Sequence, residues 1–341
     1  MARGQTTART ADEVLRWSRD LVTPALRAAV TSLPASMRRI TGYHFGWWDA
    51  DGQAATGDSG KALRPALVLL AAAAVGGAPE TAVPAAVAVE LVHNFSLLHD
   101  DVMDNDTTRR HRPTAWRVFG IPAAILAGDA LLCLAFDVLA ASGHPSAQDA
   151  MRGLSAAVQD LVDGQSADTA FERRADVGLA ECVRMAEHKT GALIGRACEL
   201  GAVFGGGTSA QVGGLRCFGD RLGLAFQLVD DLLGIWGDPS VTGKPVYSDL
   251  RNRKKSLPLV AALNSGTPAG ASLALLYHGE SLLSNDEVVR AAELVSEAGG
   301  RLWSQGRADS LFEEALGHLS SATPVVDELA GLARLAVRRD H

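Results

Sequence analysis

An apolar, helix-forming run that ends in a pair of adjacent aspartates occurs twice in this chain, at widely separated positions. The first run reads Leu97-Leu98-His99-Asp100-Asp101-Val102-Met103-Asp104. The second reads Phe226-Gln227-Leu228-Val229-Asp230-Asp231-Leu232-Leu233-Gly234, with Asp238 beyond it. Asp100 and Asp104 are four positions apart, so a helix projects both carboxylates from one face. Like charges at that spacing oppose one another by roughly 0.2–0.5 kcal/mol on an exposed helix surface. At the end of an apolar stretch the repulsion costs more unless a cation relieves it. Clusters of carboxylate oxygens suit hard cations, above all magnesium, which is commonly bound together with phosphate. One such helix end is an ordinary solvated terminus. Two of them, each followed by cationic sequence, point to a metal-bound phosphate group.

The intervening sequence is helical in character. Of 341 residues 47% are hydrophobic, with Ala and Leu ahead of β-branched and aromatic types, and the apolar positions recur at helical spacing. Neither period-two alternation nor strand–helix alternation is present. The expected class is all-α, in a single domain over residues 12–341 after a polar tail of residues 1–11. Residues 12–40 read as one or two helices that break near Pro34, and Thr41–Ser59 as a long loop rich in Gly, acids and aromatics. A loop of that length is usually functional or disordered.

Composition excludes several classes. A net charge of −7 opposes general nucleic-acid binding, which needs a basic face. Cys133, Cys182, Cys198 and Cys217 show no zinc-type spacing and read as buried thiols in a reducing compartment. No hydrophobic signal core follows MARGQTTARTADE, and the run Ala66–Ala78 is shorter than the roughly 20 residues a membrane span requires. The expectation is a cytoplasmic protein with no transmembrane segment.

Cations accompany the acidic helices. Thr107-Thr108-Arg109-Arg110-His111-Arg112-Pro113-Thr114 follows the first, and Gly243-Lys244-Pro245 and Asp249-Leu250-Arg251-Asn252-Arg253-Lys254-Lys255 follow the second. Upstream lies Gly60-Lys61-Ala62-Leu63-Arg64-Pro65, and between the two helices His188-Lys189-Thr190-Gly191. Guanidinium forks and lysine point charges are suited to diphosphate recognition.

With these elements in order, the chain resembles the trans-polyprenyl (isoprenyl) diphosphate synthase family, and most of all its geranylgeranyl diphosphate synthases. The resembling motifs are GKALRP (60–65), DDVMD (100–104), RRHRPT (109–114), GDALL (128–132), GQSAD (164–168), KTGAL (189–193), FQLVDD (226–231), and GDPSVTGKP with SDLRNRKKSLP (237–258). The resemblance implies an isoprenoid-synthase-type helical bundle with a central cavity between two Asp-rich helices, a homodimer, and three Mg2+ ions per active site. Its substrates would be isopentenyl diphosphate and an allylic diphosphate. It implies that Asp100 and Asp104, with Asp101 in support, hold two ions, and that Asp230, with Asp231 nearby, holds the third. Arg109, Lys189 and Lys244 would bind the allylic diphosphate, and Lys61, Arg64, His93 and Arg110 the isopentenyl diphosphate. Gln227 and the Thr190 hydroxyl would lie beside the allylic carbon, and Lys254 would help close the site. Ionisation of the allylic diphosphate would be favoured by cations around the departing group. Attack by the isopentenyl double bond and loss of a proton to the departing diphosphate would then extend the trans chain by five carbons.

The sequence departs from the family pattern at three places. Gly234 stands where a third Asp is usual, and His111 and Arg253 each replace a usual glycine. Phe95 lies five residues before Asp100, about 7.5 Å along a helix, beside the small Ser96 and one turn above Val92. In the family an aromatic at that place resembles the archaeal type of geranylgeranyl diphosphate synthase, which implies a twenty-carbon product. Three alternatives stand beside it: a farnesyl diphosphate synthase, a non-catalytic regulatory subunit, and a class I terpene cyclase. The cyclase would carry a different metal triad on its second acidic helix and lack GKALRP.

Overall fold

Thr10 starts the first helix through a capping box. Its hydroxyl accepts from Glu13 N–H at 3.3 Å while the Glu13 carboxylate takes the Thr10 N–H at 2.8 Å, which satisfies two otherwise unpaired donors. The computed structural model describes residues 8–55, 60, 62–239, 245–277 and 283–338. Arg9 forks onto Glu328 at 2.9 and 2.7 Å. Residues 9–11, read from the sequence as the end of a polar tail, are therefore part of the fold, held by a cap and an ion pair. The rest of the expected tail, residues 1–7, lies outside the described residues.

Helices follow in series: α1 (Ala11–Thr31), α2 (Ala35–His44), α3 (Leu63–Ala74), and a 3-10 turn, Pro79–Ala82, that leads into α4 (Val83–Met103). A hairpin of β1 (Thr108–Arg109) and β2 (Arg112–Pro113) separates α4 from α5 (Ala115–Phe119) and α6 (Ile121–Ala140). Then come α7 (Ala147–Phe171), α8 (Leu179–Ala186), a π-helical turn at Glu187–Gly191, α9 (Ala192–Phe204) and α10 (Ser209–Trp236). The remainder is α11 (Ser248–Arg251), α12 (Leu257–Leu263), α13 (Pro268–Tyr277), α14 (Asn285–Glu297), α15 (Gly300–Ala322) and α16 (Asp327–Val337). The class is all-α as expected, and the hairpin is the only sheet among the described residues. Pro34 caps α2, at the break expected from the sequence.

The chain forms two compact units. The first comprises Met1–Ala156, Arg196–Arg216 and Leu319–Leu332. Its centre is α3, buried without interruption from Pro65 to Ala72, and α4, buried from Ala85 to Val92. Gly201 and Gly205 let residues 196–216 approach α3 closely: a Cβ on Gly205 would sit 2.7 Å from the Ala72 carbonyl oxygen. Thr323 donates to the Ala74 carbonyl at 2.6 Å and ties in the C-terminal stretch. The second unit comprises Ala157–Gly195, Cys217–His318 and Ala333–His341. It has its own core around Ile235, Leu250, Leu259, Leu273, Tyr277, Val288 and Val295.

Pro79–Met103 and Ile121–Ala140 are long and apolar enough to cross a membrane by length and composition, more so than the Ala66–Ala78 run singled out in the sequence. In Pro79–Met103 the apolar surface faces the protein, with 72% of its most apolar window buried, against 39% for Ile121–Ala140. The thiols also divide: Cys182 and Cys198 are buried, but Cys133 and Cys217 are exposed. Cys133 lies on the outward face of α6 with Asp129 and Asp137, which the expectation of four buried thiols did not anticipate.

Candidate active site

In the first unit, α4 delivers the first acidic motif at its C-terminal end, with Asp104 as the cap residue. The two adjacent aspartates part company there. Asp101 is 1% exposed and accepts from Arg109 Nε at 2.7 Å. Burial pushes its carboxyl up to about 6 despite the Arg109 charge beside it. Asp104 is exposed and Asp100 partly so, which leaves these two as the carboxylates that face outward. The GDALL motif supports this helix end. A Cβ on Gly128 would collide with the His99 ring, and His99 Nε2 meets the Ile125 carbonyl oxygen at 3.0 Å.

The hairpin after α4 aims the arginines. Arg109 pairs with Arg112 across it, so Arg110 and His111 are the two turn residues, at φ 50° and 61°. A two-residue turn of this hand requires positive φ at both positions, and the usual glycine is replaced by His111 without loss of the turn. Arg112 holds the hairpin to the end of α2: it donates to Tyr43 O at 3.0 Å and Trp48 O at 3.1 Å, while Tyr43 Oη donates to Pro113 O at 2.8 Å. The expected loop 41–59 is thus half a latch. Helix α2 runs on through His44, and residues 45–55 are packed by a Phe45–Trp47 stack at 4.6 Å and by Trp48 Nε1 donating to Arg39 O at 2.8 Å.

Around the hairpin lie the residues expected at the isopentenyl diphosphate site. Arg64 Nη1 is 3.2 Å from His93 Nε2. Burial, with Arg64 and Arg110 beside it, holds His93 well below the usual histidine range, so it is a neutral partner. A Cβ on Gly60 would stand 2.6 Å from Arg110 Nη2, which brings the start of GKALRP onto RRHRPT. Lys61 lies outside the described residues. A small open pocket lined by His44, Asp101, Arg109, Arg110 and Arg112 adjoins the hairpin.

In the second unit, the π-helical turn presents Lys189 and Thr190. Thr190 Oγ1 donates to Gln227 Oε1 at 2.6 Å, and Gln227 Nε2 donates to Asp231 Oδ1 at 2.7 Å. Asp231 also accepts from Leu257 N–H at 2.8 Å and lies 3.9 Å from Lys254 Nζ. Burial pushes its carboxyl up to about 6. Burial alone would lower the Lys254 ammonium, but Asp249 and Asp231 outweigh it and hold that group well above the usual lysine value. Asp231, like Asp101, is turned inward, and its neighbour Asp230 is exposed. Lys189 Nζ donates to Asp168 at 2.5 Å. Lys244 lies outside the described residues.

The residues expected to set product length are all on α4. Phe95 is 6% exposed and meets His99 edge-on at 4.8 Å, Ser96 Oγ donates to His93 O at 2.8 Å, and Val92 is fully buried. Sequence reasoning passed over several polar residues. Asp168 stood in plain view in GQSAD. His44, Glu90 and Asn94 gave no signal: Asn94 Nδ2 donates to buried Glu90 at 2.9 Å, and burial with Arg110 and Arg109 nearby takes His44 down to about 3.

Acidic helix ends with one carboxylate of each pair engaged internally, and arginines grouped on an anchored hairpin, are of the kind that suits metal-bound diphosphates. Comparison with known proteins agrees. The family described as polyprenyl synthetase matches residues 47–295. The chain is 50% identical over 298 residues to (2E,6E)-farnesyl diphosphate synthase of Mycobacterium tuberculosis, covering 86% of this chain and 83% of that protein. It is 47% identical over 318 residues to geranylgeranyl diphosphate synthase of the same organism, covering 93% and 91%. Among solved structures it matches polyprenyl synthetase from Streptomyces coelicolor A3(2) at 49% identity and a TM-score of 0.91, over 95% of this chain and 98% of that one. The chain belongs to the polyprenyl synthetase family, with its all-α isoprenoid synthase fold, and is a prenyltransferase of isoprenoid biosynthesis.

Proposed function

We propose that this prenyltransferase condenses isopentenyl diphosphate with an allylic diphosphate to give a linear all-trans polyprenyl diphosphate of twenty carbons, geranylgeranyl diphosphate. The observation that carries the reading is the cradle in the first unit, where Arg64 and His93, Gly60 and Arg110, and Asp101 and Arg109 meet around one hairpin. Such a constellation of guanidinium groups suits diphosphate oxygens. Residues 12–341 would act as one catalytic domain of a cytoplasmic enzyme.

Magnesium fits the carboxylates present. Asp101 and Asp231 are engaged by internal donors, whereas Asp100 is partly exposed and Asp104 and, in the second unit, Asp230 are exposed, and these three would be the oxygen ligands for three ions. When bound, the metal neutralises charge on diphosphate oxygens. The chain's own residues do the rest. Arg109 is fixed by Asp101, so it meets a diphosphate already oriented. Lys189 is steadied by Asp168, and Lys244 and Lys254 add positive charge. Thr190 Oγ1 donates its proton to Gln227 and so keeps its lone pairs available, and its oxygen would favour positive charge developing at the allylic carbon. Among the described residues of these motifs none reads as a general base, and we assign the proton to the departing diphosphate.

The outward face of α6 supports a homodimer: Ile121, Ile125 and Leu126 are 47%, 38% and 56% exposed, an apolar row of the kind that marks an association surface. Product length rests on Phe95 as the floor beneath the growing chain. The 50% and 47% identities to fifteen- and twenty-carbon synthases favour a fifteen-carbon product as the second reading. Incubation with Mg2+, isopentenyl diphosphate and each allylic primer, followed by identification of the dephosphorylated alcohols by mass, separates the two. A twenty-carbon alcohol is expected, shifting to longer ones in Phe95→Ala; an unchanged distribution in that variant removes Phe95 from the floor, and no elongation with any primer removes the function.

A further inference from the structure

The second acidic motif ends in Gly234 where an aspartate would complete the set that Asp230 begins. Positions 230 and 234 are four apart on α10, so they share one helix face. A Cβ built on Gly234 would stand 2.8 Å from Asp249 Oδ1, with Asp249 Cγ and Oδ2 closer still. The carboxylate of Asp249 thus fills the space into which a side chain at 234 would grow. Its place is fixed by the backbone. Tyr247 N–H donates to Ile235 O at 3.0 Å and Ser248 Oγ donates to Gly234 O at 3.2 Å, so α11 is docked on the last turn of α10. The turn into α11 is made by Tyr247 at φ 63°, and fully buried Leu250 anchors the other side. Asp249 is held between two seated neighbours, and it is partly exposed on the face that carries Asp230.

We infer that Asp249 supplies the carboxylate that the motif lacks at Gly234, and that it faces the magnesium held by Asp230. The inference rests on the reading of that motif as a magnesium site, and it converts an apparent loss at Gly234 into an exchange of one carboxylate for another. The missing side chain is the condition for the exchange, since only glycine leaves the space that Asp249 occupies. The competing role is structural: Asp249 lies near the Lys254 ammonium, and its backbone carbonyl accepts from Lys254 N–H at 2.9 Å.

The test reads metal binding. Mn2+ is titrated into the protein with inorganic pyrophosphate present, and bound ions are counted by electron paramagnetic resonance. Asp249→Asn is expected to weaken the weakest-bound ion on the order of tenfold, the scale seen when a supporting carboxylate is removed from a metal site. Gly234→Asp combined with Asp249→Ala, which empties the space that a side chain at 234 needs, is expected to restore the ion that Asp249→Ala alone loses, a recovery that a purely structural Asp249 would not show. Binding in Asp249→Asn equal to the unaltered protein, or no recovery in the double variant, overturns the inference. A second measurement needs no variant. Fe2+ with ascorbate cuts the backbone beside a bound ion, and cuts at both 230 and 249 are expected, whereas a cut at 230 alone rejects Asp249. If the unaltered protein elongates primers while Asp249→Asn binds Mn2+ normally, this inference fails and the proposed function stands; if it neither elongates nor binds Mn2+, both fail.

Discussion

At the scale of single residues, two histidines carry opposite lessons. His111 holds a left-handed conformation, at φ 61°, that costs a residue with a Cβ about 1–2 kcal/mol. The Arg112 anchors on Tyr43 and Trp48 hold the turn in spite of that cost. His111→Gly is therefore expected to raise stability by about 0.5–1 kcal/mol, after allowing for glycine's freer unfolded chain, as read from urea unfolding midpoints. A loss of stability would show that His111 makes a compensating contact through its ring. His44 has its folded value lowered to about 3 from 6.5. The contribution of such a base is full above pH 6.5 and is lost as pH falls towards 3, because the unfolded chain takes up a proton that the fold refuses. Between pH 8 and pH 5 the protein should lose up to about 2 kcal/mol more than His44→Gln, and parallel pH curves would reject the neutral imidazole. The contrast marks what a sequence reveals at this scale. Asp100, Asp104 and Asp230 are legible because repeated charge at helical spacing has few explanations. His44 sits among glycines and aromatics with no period, and only packing against the Arg109–Arg112 hairpin gives it a role.

Among the elements, the π-helical turn at Glu187–Gly191 decides how Lys189 and Thr190 are presented, and its neighbours are glycines for a reason. A Cβ on Gly164 of α7 would stand 2.8 Å from Lys189 Cα and nearer still to its nitrogen, and one on Gly223 of α10 would stand 2.6 Å from Gly191 Cα. Both obstacles are backbone, which cannot swing aside. Gly164→Ala is expected to cost about 1–3 kcal/mol as an overpacked contact and to raise KM for the allylic diphosphate by displacing Lys189. Thermal melting together with steady-state kinetics checks it, and unchanged values in both would mean that α7 can retreat without disturbing the turn. The motif GQSAD was readable as a resemblance, yet its physical content was hidden. Gly164 serves as space and Asp168 as the partner of a lysine 21 residues away, and such pairings depend on how helices pack. Helix type and order were legible from apolar period. The extra turn of α2 through His44 and the capped start at Thr10 were not, since the capping box needs only local chemistry that a polar tail also contains.

At the scale of the whole molecule, the apolar row on α6 is the test of assembly. In the proposed homodimer Leu126→Glu is expected to give a monomer in sedimentation experiments, and a variant that sediments like the unaltered protein would remove this row from the proposed contact. The composition of the first unit has a consequence for how the protein is made. Its core closes only when three stretches of chain are together, the last being Leu319–Leu332, whose Glu328 takes the Arg9 fork and whose Thr323 bonds the end of α3. A ribosome releases the α3 and α4 walls long before it releases those partners. The α3 and α4 walls must therefore wait, with apolar helix faces uncovered, until residues 319–332 have emerged, which gives holding chaperones a long opportunity at those helices.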